Sequence, residues 1–103
     1  MAEQIKIRAQ NPGEITDIRI LMQHPMETGL RKDDKGQTFP MHIIQNFTVS
    51  LNGTPIIDGQ LNTSISKNPL FTFKARGIKA GDKLSVAWVD NSGDRRRDEI
   101  TVT

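Results

Sequence analysis

Met22, His24 and Met26 stand at alternate positions, so on an extended chain their side chains lie on one side, two residues apart. Thioether and imidazole form the soft ligand set that selects copper(I), and Met41-His42 offers a second such pair. One reading is therefore a copper(I)-binding β-sandwich chaperone that uses Met22, His24 and Met26. The plainer reading packs Met22 in the core and leaves His24 and Met26 to a turn. His24, Glu27 and the Asp33-Asp34 pair are candidates for acid-base or metal chemistry, although charged residues in a polar loop are usually just solvated. No nucleophile accompanies them: Ser64 and Ser66 lie far along the chain, and there is no Gly-x-Ser-x-Gly elbow or phosphate loop. The sequence has no cysteine, which removes disulfides, thiolate nucleophiles, iron-sulfur clusters and cysteine-ligated zinc. A nucleophile, base and orienting group are not identifiable together, so neither enzyme activity nor a cofactor is expected of this chain.

Three of these side chains, those of His24, Met26 and Glu27, belong to one stretch, His24-Pro25-Met26-Glu27-Thr28-Gly29-Leu30-Arg31-Lys32, which leads into the polar connection Lys32 to Thr38. Pro25 fixes its own φ and biases His24 toward an extended conformation, while Gly29 can supply a positive φ. The loop is thus shaped, and a shaped loop between strands is a common place for binding residues.

Around it the pattern is that of strands. Ile5 and Ile7 alternate with Lys6 and Arg8, and Asn11-Pro12-Gly13 turns the chain. Ile18, Ile20 and Met22 then oppose Asp17 and Arg19. Past Pro40, Ile43, Phe47, Val49 and Leu51 face one side and His42, Asn46, Thr48 and Ser50 the other. Asn52-Gly53 signals a two-residue type I′ hairpin, and Pro55 marks the returning strand, with Ile56 and Ile57, as an edge. Phe71, Phe73 and Ala75 define a fifth strand, Leu84, Val86 and Trp88 a sixth, and Asp90 to Asp94 turns into a last strand through Ile100 and Val102. No amphipathic helix period is present. A chain of 103 residues is one domain, 1–103. About seven short strands predict an all-β, immunoglobulin-like antiparallel β-sandwich. With no cysteine and no tyrosine it lacks the antibody disulfide and the tyrosine corner, and Trp88 is the largest core candidate.

Fourteen basic and twelve acidic residues leave a net charge of +2, too balanced for a dedicated nucleic-acid or membrane-surface binder. Arg95-Arg96-Arg97 is flanked by Asp94 and Asp98-Glu99, so its charge cancels locally and its arginines are expected to pair with carboxylates. Three asparagine sequons, at Asn46, Asn52 and Asn62, are read as chance matches. No apolar stretch has the make-up of a signal-peptide core or a membrane span, which on its own points to the cytoplasm.

Three segments carry a resemblance. His24 to Arg31, then Ser66-Lys67-Asn68-Pro69 before an aromatic strand, then Trp88-Val89-Asp90-Asn91-Ser92-Gly93-Asp94 together resemble SoxZ, the Z-subunit family of the bacterial sulfur-oxidation carrier complex. The resemblance spans nearly the whole chain and keeps the spacing between segments. It implies a non-catalytic subunit that forms a heterodimer with a Y subunit, SoxY, whose C-terminal arm carries sulfur on a cysteine during thiosulfate oxidation. It also implies transient docking with the oxidising Sox enzymes, and a periplasmic location reached by co-export with a partner that bears the signal peptide. The residues it puts forward for partner binding are His24, Pro25, Met26, Glu27, Thr28, Gly29, Arg31, Lys67, Asn68, Asp90, Asn91 and Asp94. Departures from the family, such as Gln37 and Ser92, are read as surface positions.

Overall fold

The structure is a computed structural model that describes residues 2–103. Seven strands follow one another: β1 (Lys6–Gln10), β2 (Ile15–Leu21), β3 (Ile44–Leu51), β4 (Thr54–Gln60), β5 (Leu70–Arg76), β6 (Lys83–Asp90) and β7 (Arg95–Thr101). They form two antiparallel sheets, β1-β2-β5 and β4-β3-β6-β7, and there is no helix among the described residues. The fold is the expected β-sandwich, with the fourth strand paired to the third as the Asn52-Gly53 hairpin predicts.

Alternation decides which side chains meet between the sheets. β2 buries Thr16, Ile18 and Ile20, with Met22 just beyond its end, and β6 buries Leu84, Val86 and Trp88. The expected strand faces hold, with one local correction on β3. Its register against β6 shifts between Ile44 and Asn46, so a bulge adds a residue and puts Ile44, rather than Ile43, on the face of Phe47 and Val49, while Ile43 is buried just ahead of the strand. A second irregularity pairs Val49 with Ile57 but Ser50 with Pro55, which leaves Ile56 as the extra residue, pointing to solvent on the edge strand. Asn52 and Gly53 both have positive φ, 49° and 87°, as a type I′ hairpin requires. Phe47 lies over Gly59 across the β3–β4 pair: a Cβ on Gly59 would stand 2.1 Å from the ring, so only glycine fits there.

β1 and β7 close one side of the sandwich. The Ile5 amide donates to Asp98 Oδ2 at 2.8 Å, and Asp98 is held in turn by the Arg96 guanidinium at 2.9 Å. This is the carboxylate partner expected for the arginine run.

The molecule measures 54 × 21 × 19 Å. Strands of seven or eight residues account for about 27 Å of its length, so connections extend well past the sheets. The register brings the β2–β3, β4–β5 and β6–β7 connections and the chain before β1 to one common end.

Candidate functional site

Residues 27–42 form a tongue between β2 and β3. At its base Glu27 and His42 exchange two backbone hydrogen bonds of 2.8 Å. Further out Lys32 bridges Thr38, and Asp33 Oδ1 accepts from the Lys35 and Gln37 amides to close the tip. Met26, at φ 49°, and Gly29, at φ 87°, set the entry. Met26 carries a left-handed conformation that sequence alone had assigned only to the glycine. Glu27 does not face outward alone. Its carboxylate accepts from the Arg31 guanidinium, which holds it below the usual carboxylate range, and the Arg31 guanidinium carbon lies 3.9 Å over the Phe39 ring. Thr28 Oγ1 accepts the Leu30 amide at 3.2 Å, and Pro25 is exposed.

The centre of this end is Asp90, the last residue of β6, 2% exposed. Its Oδ2 accepts from His24 Nε2 at 2.9 Å and from His42 Nε2 at 2.7 Å. Its Oδ1 accepts from the Ser92 amide at 3.0 Å, the Ser92 hydroxyl at 2.7 Å and the Asp94 amide at 2.9 Å. Burial pushes the Asp90 carboxyl up, but hydrogen bonds from His24, Ser92, His42 and Asp94 outweigh it and hold the group far below the usual carboxylate range. Asp90 is therefore a buried carboxylate with five donors aimed at it.

His24 shows how tightly this is determined. Its Nδ1 accepts the Met26 amide at 3.1 Å, so the hydrogen-bond network assigns the ring proton to Nε2, which donates to Asp90. Burial pushes the imidazole below its ordinary value, and the Asp90 hydrogen bond only partly offsets this. His24 is thus a neutral, buried donor, packed edge-on against Trp88 with ring centroids 5.1 Å apart.

The other two segments lock onto the same centre. The His24 amide donates to Asn68 Oδ1 at 3.0 Å and its carbonyl accepts the Asn68 amide at 2.9 Å, with Asn68 itself at φ 53°. Asn91 Oδ1 accepts the Ile43 amide, and its Nδ2 donates to the Met41 carbonyl, both at 2.8 Å. Asp94 returns its carbonyl to the Asp90 amide at 3.0 Å. A cleft of about 410 Å³ opens beside this network, lined among others by His24, Pro25, Lys67, Asn68, Trp88 and Asp94. Trp88 Nε1 is buried there without a hydrogen-bond partner among the described residues.

Two kinds of chemistry are tested by this geometry. Ser92, His42 and Asp90 form a serine-histidine-aspartate set by composition. A proton relay needs the serine on one imidazole nitrogen and the aspartate on the other. Here both sit on His42 Nε2, and the Ser92 hydroxyl donates to Asp90. The two Nε2 atoms and an Asp90 oxygen also lie within 4.8 Å of one another, close enough to surround a cation. A neutral histidine that binds a metal through Nε2 carries its proton on Nδ1, yet Nδ1 of His24 faces the Met26 N–H. The donor set fits a hydrogen-bonded anchor and not a metal centre. Nor do Met22, His24 and Met26 form a copper(I) set. Met22 is wholly buried in the core, and Met26 Sδ is directed at the Ile44 amide, 3.3 Å away.

Of the residues put forward from the sequence, His24, Asn68, Asp90, Asn91 and Asp94 meet in one network, while Glu27, Thr28, Gly29 and Arg31 shape the tongue beside it. Lys67 lies exposed between the two. His42 and Ser92 were missed as members. Ser92 is exposed, as a surface position should be, and its amide and hydroxyl also donate to Asp90; its place two residues after that aspartate, the spacing of an Asx turn, is the one local signal for this.

In comparison with curated proteins, the chain matched none. A family model described as sulphur oxidation protein SoxZ matches residues 5–101, which include all three segments joined at this end and all seven strands. The chain belongs to the SoxZ family of sulfur-oxidation proteins.

Proposed function

We propose that the chain is the non-catalytic Z-type subunit of a sulfur carrier, paired as a heterodimer with a SoxY-like subunit whose cysteine bears the sulfur. The observation that carries this reading is the convergence of 24–31, 66–69 and 88–94 around one buried anchor, Asp90, at one end of the sandwich. A sulfane sulfur needs a thiolate to hold it, and this chain has none, so the sulfur-bearing group comes from the partner. His24 and Asp90 are saturated with internal hydrogen bonds, which suits a rigid presenting surface better than a general base. On this reading the tongue and the adjoining loops contribute to transient docking of the oxidising enzymes. The heterodimer reaches the periplasm on the partner's signal.

Co-expression with a Y-type subunit followed by sizing tests the pairing. A one-to-one complex at micromolar concentration, with an interface of roughly 1,200 Å² or more, is expected. Two separate elution peaks would overturn the reading.

A further inference from the structure

The outer face of the three-stranded sheet is set by register alone. Lys6, Arg8, Arg19, Lys74 and Arg76 all point away from the core, and Asp17 is the single carboxylate among them. Five cations against one carboxylate leave this face at +4, whereas the whole chain carries +2, so the remainder of the chain is net negative. Arg8 and Arg19 are cross-strand partners, a placement of like charges that works against folding. Among the described residues the one ion pair on the face joins Asp17 to Lys74 at 3.8 Å, both well exposed, and no carboxylate there pairs with Arg8 or Arg19.

We propose that this face docks an acidic surface of another protein, and does so transiently. Its breadth, three strands at about 4.8 Å spacing and some four residue rows, exceeds what a single small anion covers. An extended polyanion such as duplex DNA or a lipid surface would run past the face onto the net-negative remainder of the chain. A discrete acidic patch on a protein avoids that repulsion. A permanent subunit interface would be depleted of charge at its centre, so a steered, salt-sensitive encounter fits these cations better. Leu70 and Ile15, 58% and 39% exposed, supply apolar contacts at the margins of the face.

The first test follows backbone amide shifts of the isolated chain by NMR during titration with hexa-L-glutamate, a short peptide that stands in for a discrete acidic patch, at low and at near-physiological salt. Shifts should centre on β1, β2 and β5 and shrink as salt rises. Arg19→Glu places a carboxylate opposite Arg8, so it should raise the urea midpoint slightly while weakening the interaction about tenfold. A misfolded variant cannot produce both effects. Arg95→Glu/Arg97→Glu, on the opposite sheet, should change it less than about twofold. Shifts centred on Arg95 to Arg97 or on the tongue lysines, or equal effects of the two variants, would overturn the proposal. So would sedimentation of the chain with phosphatidylglycerol vesicles through these same residues.

The second test rests on the carrier reading. The heterodimer carrying Arg8→Glu/Arg19→Glu should form normally, yet associate about tenfold more slowly with an oxidising enzyme at low salt. Loss of pairing in this variant alone would make the face the permanent interface and refute the proposal. Failure of the wild type to pair refutes the carrier reading instead, while the hexa-L-glutamate map still decides the face.

Discussion

Replacing Asp90 by asparagine should unfold the end of the sandwich where the three family segments meet. The carboxylate accepts five hydrogen bonds, three on Oδ1 from Ser92 and Asp94 and two on Oδ2 from His24 and His42. An asparagine can keep its oxygen on the first side, but its NH2 group then meets two imidazole N–H donors. His24 cannot change tautomer to accept, because its Nδ1 is occupied by the Met26 amide. Hydrogen bonds to a charged acceptor contribute about 1.5–3 kcal/mol each, so losing the two imidazole bonds puts the cost at about 3 kcal/mol or more. We expect Asp90→Asn to lose about 3 kcal/mol or more, a large share of the roughly 5–15 kcal/mol of a small domain. At about 4 °C or more per kcal/mol, Tm should fall by about 12 °C or more. Urea unfolding followed by Trp88 fluorescence, with NMR of the imidazole nitrogens, measures both the loss and the tautomer. A change below about 1 kcal/mol, or a His24 proton found on Nδ1 in the wild type, would refute the hydrogen-bond assignment on which the anchor rests.

Stability should also fall with acid in two stages. The folded state holds His24 below its ordinary pKa of 6.5, so its contribution is complete above 6.5 and is lost as pH drops from there through the folded value. Asp90, held far below 3.8, adds a second loss in more strongly acid solution. A urea midpoint that is flat from pH 7.5 to 5, or a slope in that window unchanged in His24→Gln, would contradict this. Gly59→Ala should cost about 1–3 kcal/mol by overpacking against the Phe47 ring, and a wild-type denaturation midpoint would show that the ring moves aside freely. Glu27→Ala/Arg31→Ala should leave the unfolding midpoint and Y-subunit pairing intact but slow thiosulfate-dependent turnover at subsaturating carrier and low salt, through loss of tongue shape and charge. Unchanged turnover would return the tongue to a purely structural role.

What the sequence determined by itself is whatever has a short period or a local signature. Two-residue alternation placed Ile18, Ile20, Val49, Leu84, Val86 and Trp88 in the core, because a pleated strand alternates its faces whatever lies across from it. Asn52-Gly53 announced its hairpin through positive φ, and Pro55 its edge strand, since both act within a few bonds. The bulge at Ile44 was invisible, because a bulge is a relation between two strands. The same holds for the site. His24 stands 66 residues from Asp90 and His42 48 residues from it, so their common hydrogen-bond acceptor exists only once the end of β2 in one sheet meets the start of β3 and the end of β6 in the other. The Arg8–Arg19 face is likewise a product of register: each arginine looks like an ordinary solvated strand position until the pairing of β1 with β2 sets them opposite one another. Tertiary structure decided these features because hydrogen bonds and Coulomb interactions depend on distance in space, and chain separation carries no information about that distance until the sheets are assembled.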